Sequence, residues 1–161
     1  MTSPLWTSQE AVAATGGKAA EDWEVHGISI DTRTIKAGDM FVALKDVRDG
    51  HDFVPQAYKS GAGACLVCQV VEDGPALVVG DTLEALEALG RAARERSSAF
   101  CCAITGSVGK TSVKEMLAQI FRAHGAAHWN VKSFNNHWGV PLTLARMPRE
   151  TERAVFEIGM N

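Results

Sequence analysis

Phe100-Cys101-Cys102-Ala103-Ile104-Thr105-Gly106-Ser107-Val108-Gly109-Lys110-Thr111 is the stretch on which the reading of this chain turns. A short apolar run, residues 100–104, leads into a glycine-rich turn, and an amphipathic segment begins at Val113. That order predicts a strand, a tight turn and a helix. Such a turn aims several backbone N–H groups and the positive end of a helix dipole at one spot, where a phosphate can sit.

The usual phosphate-loop pattern places a glycine where this chain has Ile104, so the match is to a shorter variant anchored on Gly106. The physical requirements are still met. Gly106 and Gly109 let the backbone turn and come close to phosphates, Lys110 has the length to reach the β- and γ-phosphates, and Thr111 can offer its hydroxyl to Mg²⁺. Downstream, Val113, Met116, Leu117, Ile120 and Phe121 recur at spacings of a one-faced helix, and Gly125 supplies a stop.

Working outward, strands are expected over residues 126–129 and 154–158, with a short helix over 140–145 between them, opened by Pro141. Strand and helix in alternation predict a parallel sheet. Glu157 closes the last strand and in such a sheet would reach the same edge as the phosphate loop. It is there either as a Mg²⁺ ligand or as a surface acid. Asn135-Asn136-His137-Trp138-Gly139-Val140-Pro141 places two amides before the short helix, able to cap it or to reach a ligand.

Upstream, strands are expected over 24–31, 40–44, 64–67 and 76–79, with a helix over 52–60. A longer helix over 83–96, capped by Thr82, marks the boundary between residues 1–82 and 83–161. The first part reads as a small α/β domain with its own core. Asp31-Thr32-Arg33 follows a strand and Asp49-Gly50-His51 opens a helix. Both suit ordinary turns, while Arg33 and the N–H groups after Gly50 also suit a second anionic group.

Composition narrows the function classes. Lys and Arg number 16 against 19 Asp and Glu, a net charge of -3, with no basic run, so a nucleic-acid partner is not expected. No segment approaches the roughly 20 apolar residues of a membrane span, and residues 1–10 lack a signal-peptide pattern, which leads to a cytoplasmic expectation. Cys65, Cys68, Cys101 and Cys102 lack metal-site spacing and read as reduced, buried small hydrophobes.

Taken in order, these strings resemble the Mur ligases of peptidoglycan synthesis: residues 29–33, 38–45, 49–53, 104–111, 135–143 and 157–161. The Asn135-Asn136 pair resembles the branch that adds D-Ala-D-Ala more than the diamino-acid-adding branch, which typically carries threonines there. The resemblance implies an N-terminal α/β domain that holds the UDP end of UDP-MurNAc-tripeptide, with Thr32, Arg33, Asp49, Gly50 and His51 as contacts. It also implies the first part of a P-loop, parallel-sheet ATPase domain. Within it the loop Thr105, Gly106, Ser107, Val108, Gly109, Lys110, Thr111 and Ser112, with Asn135 and Asn136, would line the ATP or substrate cleft.

In that family ATP phosphorylates the peptide carboxylate, and the amine of D-Ala-D-Ala then attacks the acyl phosphate. Carried over, Lys110 and Glu157 are the catalytic candidates, and Thr111 and Glu157 serve Mg²⁺. Family members continue beyond this length, so this chain alone is expected to bind the UDP-substrate weakly without ligating, and the full-length protein to be a monomer. Two other readings remain: a P-loop kinase or NTPase of unrelated substrate, and a non-catalytic UDP-sugar-binding module.

Overall fold

The computed structural model describes residues 3–131 and 136–159. The chain divides into two compact units, Met1–Leu89 and Gly90–Asn161.

The first unit opens with β1 (Trp6–Thr7) and α1 (Ser8–Thr15), a helix absent from the sequence expectations. Its start is written locally. Thr7 accepts the Glu10 N–H on its side chain while the Glu10 carboxylate reaches back to the Thr7 N–H at 3.1 Å, a reciprocal capping box. Next come β2 (Lys18–Ala19), β3 (Glu24–Val25), β4 (Gly27–Ser29) and β5 (Asp39–Val42). The single strand expected over 24–31 is thus divided. β3 pairs antiparallel with β1, the His26 N–H donates to the Gly38 carbonyl at 3.0 Å, and β4 joins a different sheet beside β5.

A 3-10 turn, Gly50–Phe53, leads into α2 (Val54–Lys59), then β6 (Ala64–Val67) and β7 (Ala76–Val78). The main sheet has the order β2-β7-β6-β5-β4, parallel from β7 to β4 and antiparallel only at β2. Every residue of β5 and β6 is buried, as expected for parallel strands covered on both faces. Phe41, Ala43, Cys65 and Val67 pack with Val54 and Ala57 of α2 on one side. All four cysteines are free thiols, but only Cys65 is fully buried, and that burial pushes its pKa up to about 11.

α3 (Thr82–Glu95) follows. Its cap is Asp81 and not Thr82: the Asp81 carboxylate accepts the N–H groups of Leu83 and Glu84 at 2.8 and 2.9 Å, while the Thr82 hydroxyl donates to the Ala43 carbonyl at 2.9 Å. A buried hydroxyl needs a partner, and the backbone carbonyl just past β5 supplies it.

The second unit contains β8 (Phe100–Ile104), α4 (Lys110–Ala123), β9 (Ala127–Trp129), α5 (Gly139–Ala145) and β10 (Arg153–Glu157). The sheet is parallel throughout, in the order β8-β10-β9, so the last strand lies between the first two. Met147, Ala154 and Phe156 form a small core with Leu144 and Cys101. Helix α4 departs from its periodicity. Its fully buried positions are Lys114 and Ala118, whereas Val113, Met116 and Ile120 are 42%, 57% and 53% exposed.

Candidate functional site

The ladder between β8 and β10 builds the site. Glu157 is level with Ile104, and the ladder continues as the Ile158 N–H donates to the Ile104 carbonyl at 2.9 Å. The phosphate-type loop therefore leaves β8 beside the residue that closes β10. Both lie at the carboxyl ends of parallel strands, the edge where open α/β sheets bind ligands.

The loop uses glycines for conformation. Gly106 has φ 144° and Gly109 φ 78°, and a methyl group at either would meet nothing within 4 Å. The space beside the loop is thus open, and the glycines are required by the backbone rather than by a neighbour. Gly109 is the N-cap of α4, and no side chain caps the helix. An N-terminus left open this way presents N–H groups to an anion. The Lys110 ammonium folds back to donate to the Gly106 carbonyl at 2.7 Å, across the mouth of the loop.

Thr111, in the first turn of α4, donates to both oxygens of Glu157 at 3.1 Å each. Glu157 is 1% exposed. A hydroxyl and a buried carboxylate on one spot are hard oxygen donors, the type that suits Mg²⁺, and the donor set fits that ion. Two buried residues stand behind them that sequence reasoning missed. Lys114 reaches the Asn130 carbonyl at 3.0 Å and Glu157 at 3.6 Å, and Asn130 binds the backbone of Glu157 on both sides of its Cα. The available signal was spacing: Lys114 lies three residues after Thr111 and so shares its helix face.

Of the paired amides, Asn135 lies outside the described residues. The Asn136 side chain accepts the Gly139 N–H at 2.9 Å and so caps α5. The His137 and Trp138 rings touch with centroids 4.4 Å apart, tilted by 54°.

In the first unit the sequence-predicted residues fall in two turns, one after β4 and one after β5, neighbouring parallel strands. The Asp31 carboxylate accepts the Arg33 N–H at 2.9 Å, an Asx-type turn, and also binds the Arg33 guanidinium at 2.7 Å. Thr32 sits between them, half-buried. In the second turn a methyl group on Gly50 would lie 2.6 Å from the Leu44 carbonyl oxygen.

The expectation that N–H groups after Gly50 wait for an anion is corrected. Those of Gly50, His51 and Asp52 donate to Leu44, the Asp49 side chain and the Asp49 carbonyl. The buried His51 ring is equally committed. Its Nε2 accepts the Cys68 N–H at 2.9 Å, which leaves the proton on Nδ1, donated to Asp49 at 2.6 Å. The backbone N–H of His51, then its ring, hold the Asp49 carboxyl below its ordinary pKa. Among the described residues no group of three or more His, Cys, Asp and Glu is placed to hold a metal, and no helix is long and apolar enough to cross a membrane.

Comparison with known proteins agrees with this geometry. Residues 24–125 match the Mur ligase family catalytic domain, and residues 104–161 match the Mur ligase middle domain. The UDP-N-acetylmuramoyl-tripeptide--D-alanyl-D-alanine ligase of Rickettsia prowazekii is 36% identical over 98% of this chain, and that of Escherichia coli 42% over 96%. The chain spans about a third of the length of these relatives, 36% and 34%. A crystal structure of MurF from Acinetobacter baumannii superposes with a TM-score of 0.83 at 34% identity, covering 99% of this chain and 36% of that one. MurF from Thermotoga maritima, in complex with ADP, does so with a TM-score of 0.63 at 28% identity, over 83% of this chain and 32% of that one. With its phosphate-type loop, its carboxylate on the adjacent strand and a catalytic-domain match over residues 24–125, the chain belongs to the Mur ligase family.

Proposed function

We propose that this chain supplies the UDP-substrate and nucleotide-binding parts of an ATP-dependent amide ligase that adds D-Ala-D-Ala to UDP-MurNAc-tripeptide. The observation that carries the reading is the meeting of Thr111 and Glu157 at 3.1 Å beside a glycine loop. Residues 83–161 are the nucleotide side. Lys110 would leave the Gly106 carbonyl for the β- and γ-phosphates, the open N-terminus of α4 would take phosphate oxygens, and Thr111 and Glu157 would hold Mg²⁺. Bound Mg-ATP supplies the phosphoryl group that activates the peptide carboxylate. The chain's own part is positioning and charge neutralisation, which is most of what phosphoryl transfer needs from a protein. Asn136 fixes the start of α5 by accepting the Gly139 N–H.

Residues 1–82 are the UDP-substrate side, with Thr32, Arg33 and the Asp49-Gly50-His51 turn at one sheet edge. Arg33 would exchange Asp31 for a phosphate, a small cost because the ion pair is exposed. His51 contributes by fixing the turn. The reading places the protein in the cytoplasm, where its nucleotide substrates are made.

Titration calorimetry of the chain with Mg-ATP and with UDP-MurNAc-tripeptide tests this. Saturable binding of each is expected, with Lys110→Ala weakening only the first. Absence of both interactions from a folded chain would refute the proposal.

A further inference from the structure

Lys114 is fully buried, a rare state for a lysine, and it needs a reason. Its ammonium donates to the Asn130 carbonyl at 3.0 Å and lies 3.6 Å from Glu157 Oε2 and 3.1 Å from Glu115 Oε1. Asn130, also fully buried, grips the backbone of Glu157: Oδ1 accepts the Glu157 N–H at 2.6 Å and Nδ2 donates to the Glu157 carbonyl at 3.3 Å. A buried charge is tolerated only with partners, and an apolar chain of the same length would fill the space at lower cost. The lysine therefore does something that packing alone does not ask for. Its position answers what. One oxygen of Glu157 faces the ammonium, the amide of Asn130 fixes the main chain, and Thr111 sits on the open side of the same carboxylate.

We infer that Lys114 is a positioning residue for the divalent-cation site, holding the Glu157 carboxylate against Thr111 while Asn130 holds its backbone. The inference rests on Thr111 and Glu157 being the cation donors, as proposed above. Lys114 itself touches neither cation nor nucleotide in this role. It acts as the outer partner that orients a ligating carboxylate.

The test uses Mn²⁺ as a spectroscopic probe. Paramagnetic resonance titrations of Mn²⁺ with ATP are run on the whole chain and on Lys114→Met, Glu157→Gln and the double variant, with metal-free ATP binding measured in EDTA alongside. Lys114→Met is expected to keep metal-free ATP affinity and to lose about tenfold to a hundredfold in Mn²⁺ affinity. In the Glu157→Gln background the same substitution should add less than about a twofold loss, because its effect passes through Glu157. Equal losses in both backgrounds, or no loss in either, would overturn the inference.

If Lys114→Met fails to fold while the double variant melts cooperatively, the pairing is supported, since only the first leaves a buried carboxylate without its cation. Failure of both to fold would assign the lysine to packing and overturn it. A wild-type chain that binds neither ATP nor Mn²⁺–ATP would refute the nucleotide reading itself, whereas wild-type binding with unaffected variants refutes only the role of Lys114.

Discussion

A methyl group at position 50 has no room, because the Ala43 Cα would lie 2.8 Å away and the Leu44 oxygen 2.6 Å. Gly50→Ala must push backbone against backbone, so a loss of about 1–3 kcal/mol is expected, read by thermal denaturation. His128 gives a second prediction. Burial holds its pKa below the ordinary 6.5, even though its ring Nε2 donates to the Thr143 carbonyl at 2.6 Å. An unfolded chain takes the proton more readily than the folded one. The stability contributed by the neutral ring is therefore full above the unfolded pKa and is lost as pH falls below it toward the depressed folded value. Melting temperature should drop from about pH 7.5 to about pH 5.5, and His128→Gln should flatten that drop.

At this scale the sequence singled out the glycines, Lys110, Thr111 and Glu157 as candidates, because loop and strand-end positions announce themselves by type and spacing. It did not reveal Asn130 or Lys114. Their roles depend on β10 inserting between β8 and β9, a pairing that no local pattern encodes.

Helix α4 is where pattern and structure part most clearly. Spacing put Val113, Met116 and Ile120 on one apolar helix face, yet that face is exposed, and the face that meets β10 and β9 carries Lys114 and Ala118. Periodicity finds the apolar stripe of a helix but not which neighbour lies against it. Met116→Gln and Ile120→Lys should accordingly change the stability of this chain by less than about 0.5 kcal/mol. Ala118→Leu, at a position 2% exposed, should cost about 1–3 kcal/mol through overpacking. Both are read by denaturant unfolding, and the opposite ranking would restore the face that spacing suggests. Strand β4 is the other lesson: alternation over 24–31 is real, but His26 hands the chain from one sheet to another, a switch set by tertiary pairing. The capping box at Thr7 and Glu10 is a local signal for α1 that the sequence reading missed, although it needs no tertiary knowledge.

Across the whole molecule, each unit carries its candidate residues at the carboxyl ends of parallel strands, which is why fold class and loop position could be read together. The family is fixed by the match to residues 24–125, while the reaction belongs to proteins about three times as long as this chain. Under the proposed function, residues 105–112 with Glu157 form a Mg-nucleotide site. Backbone hydrogen exchange followed by mass spectrometry, with and without saturating Mg-ATP, tests it directly. Slowed exchange in peptides covering residues 105–112 and 157, reduced in Glu157→Gln, is the predicted result. Unchanged exchange in those peptides while calorimetry registers bound ATP would place the nucleotide elsewhere and contradict the assignment.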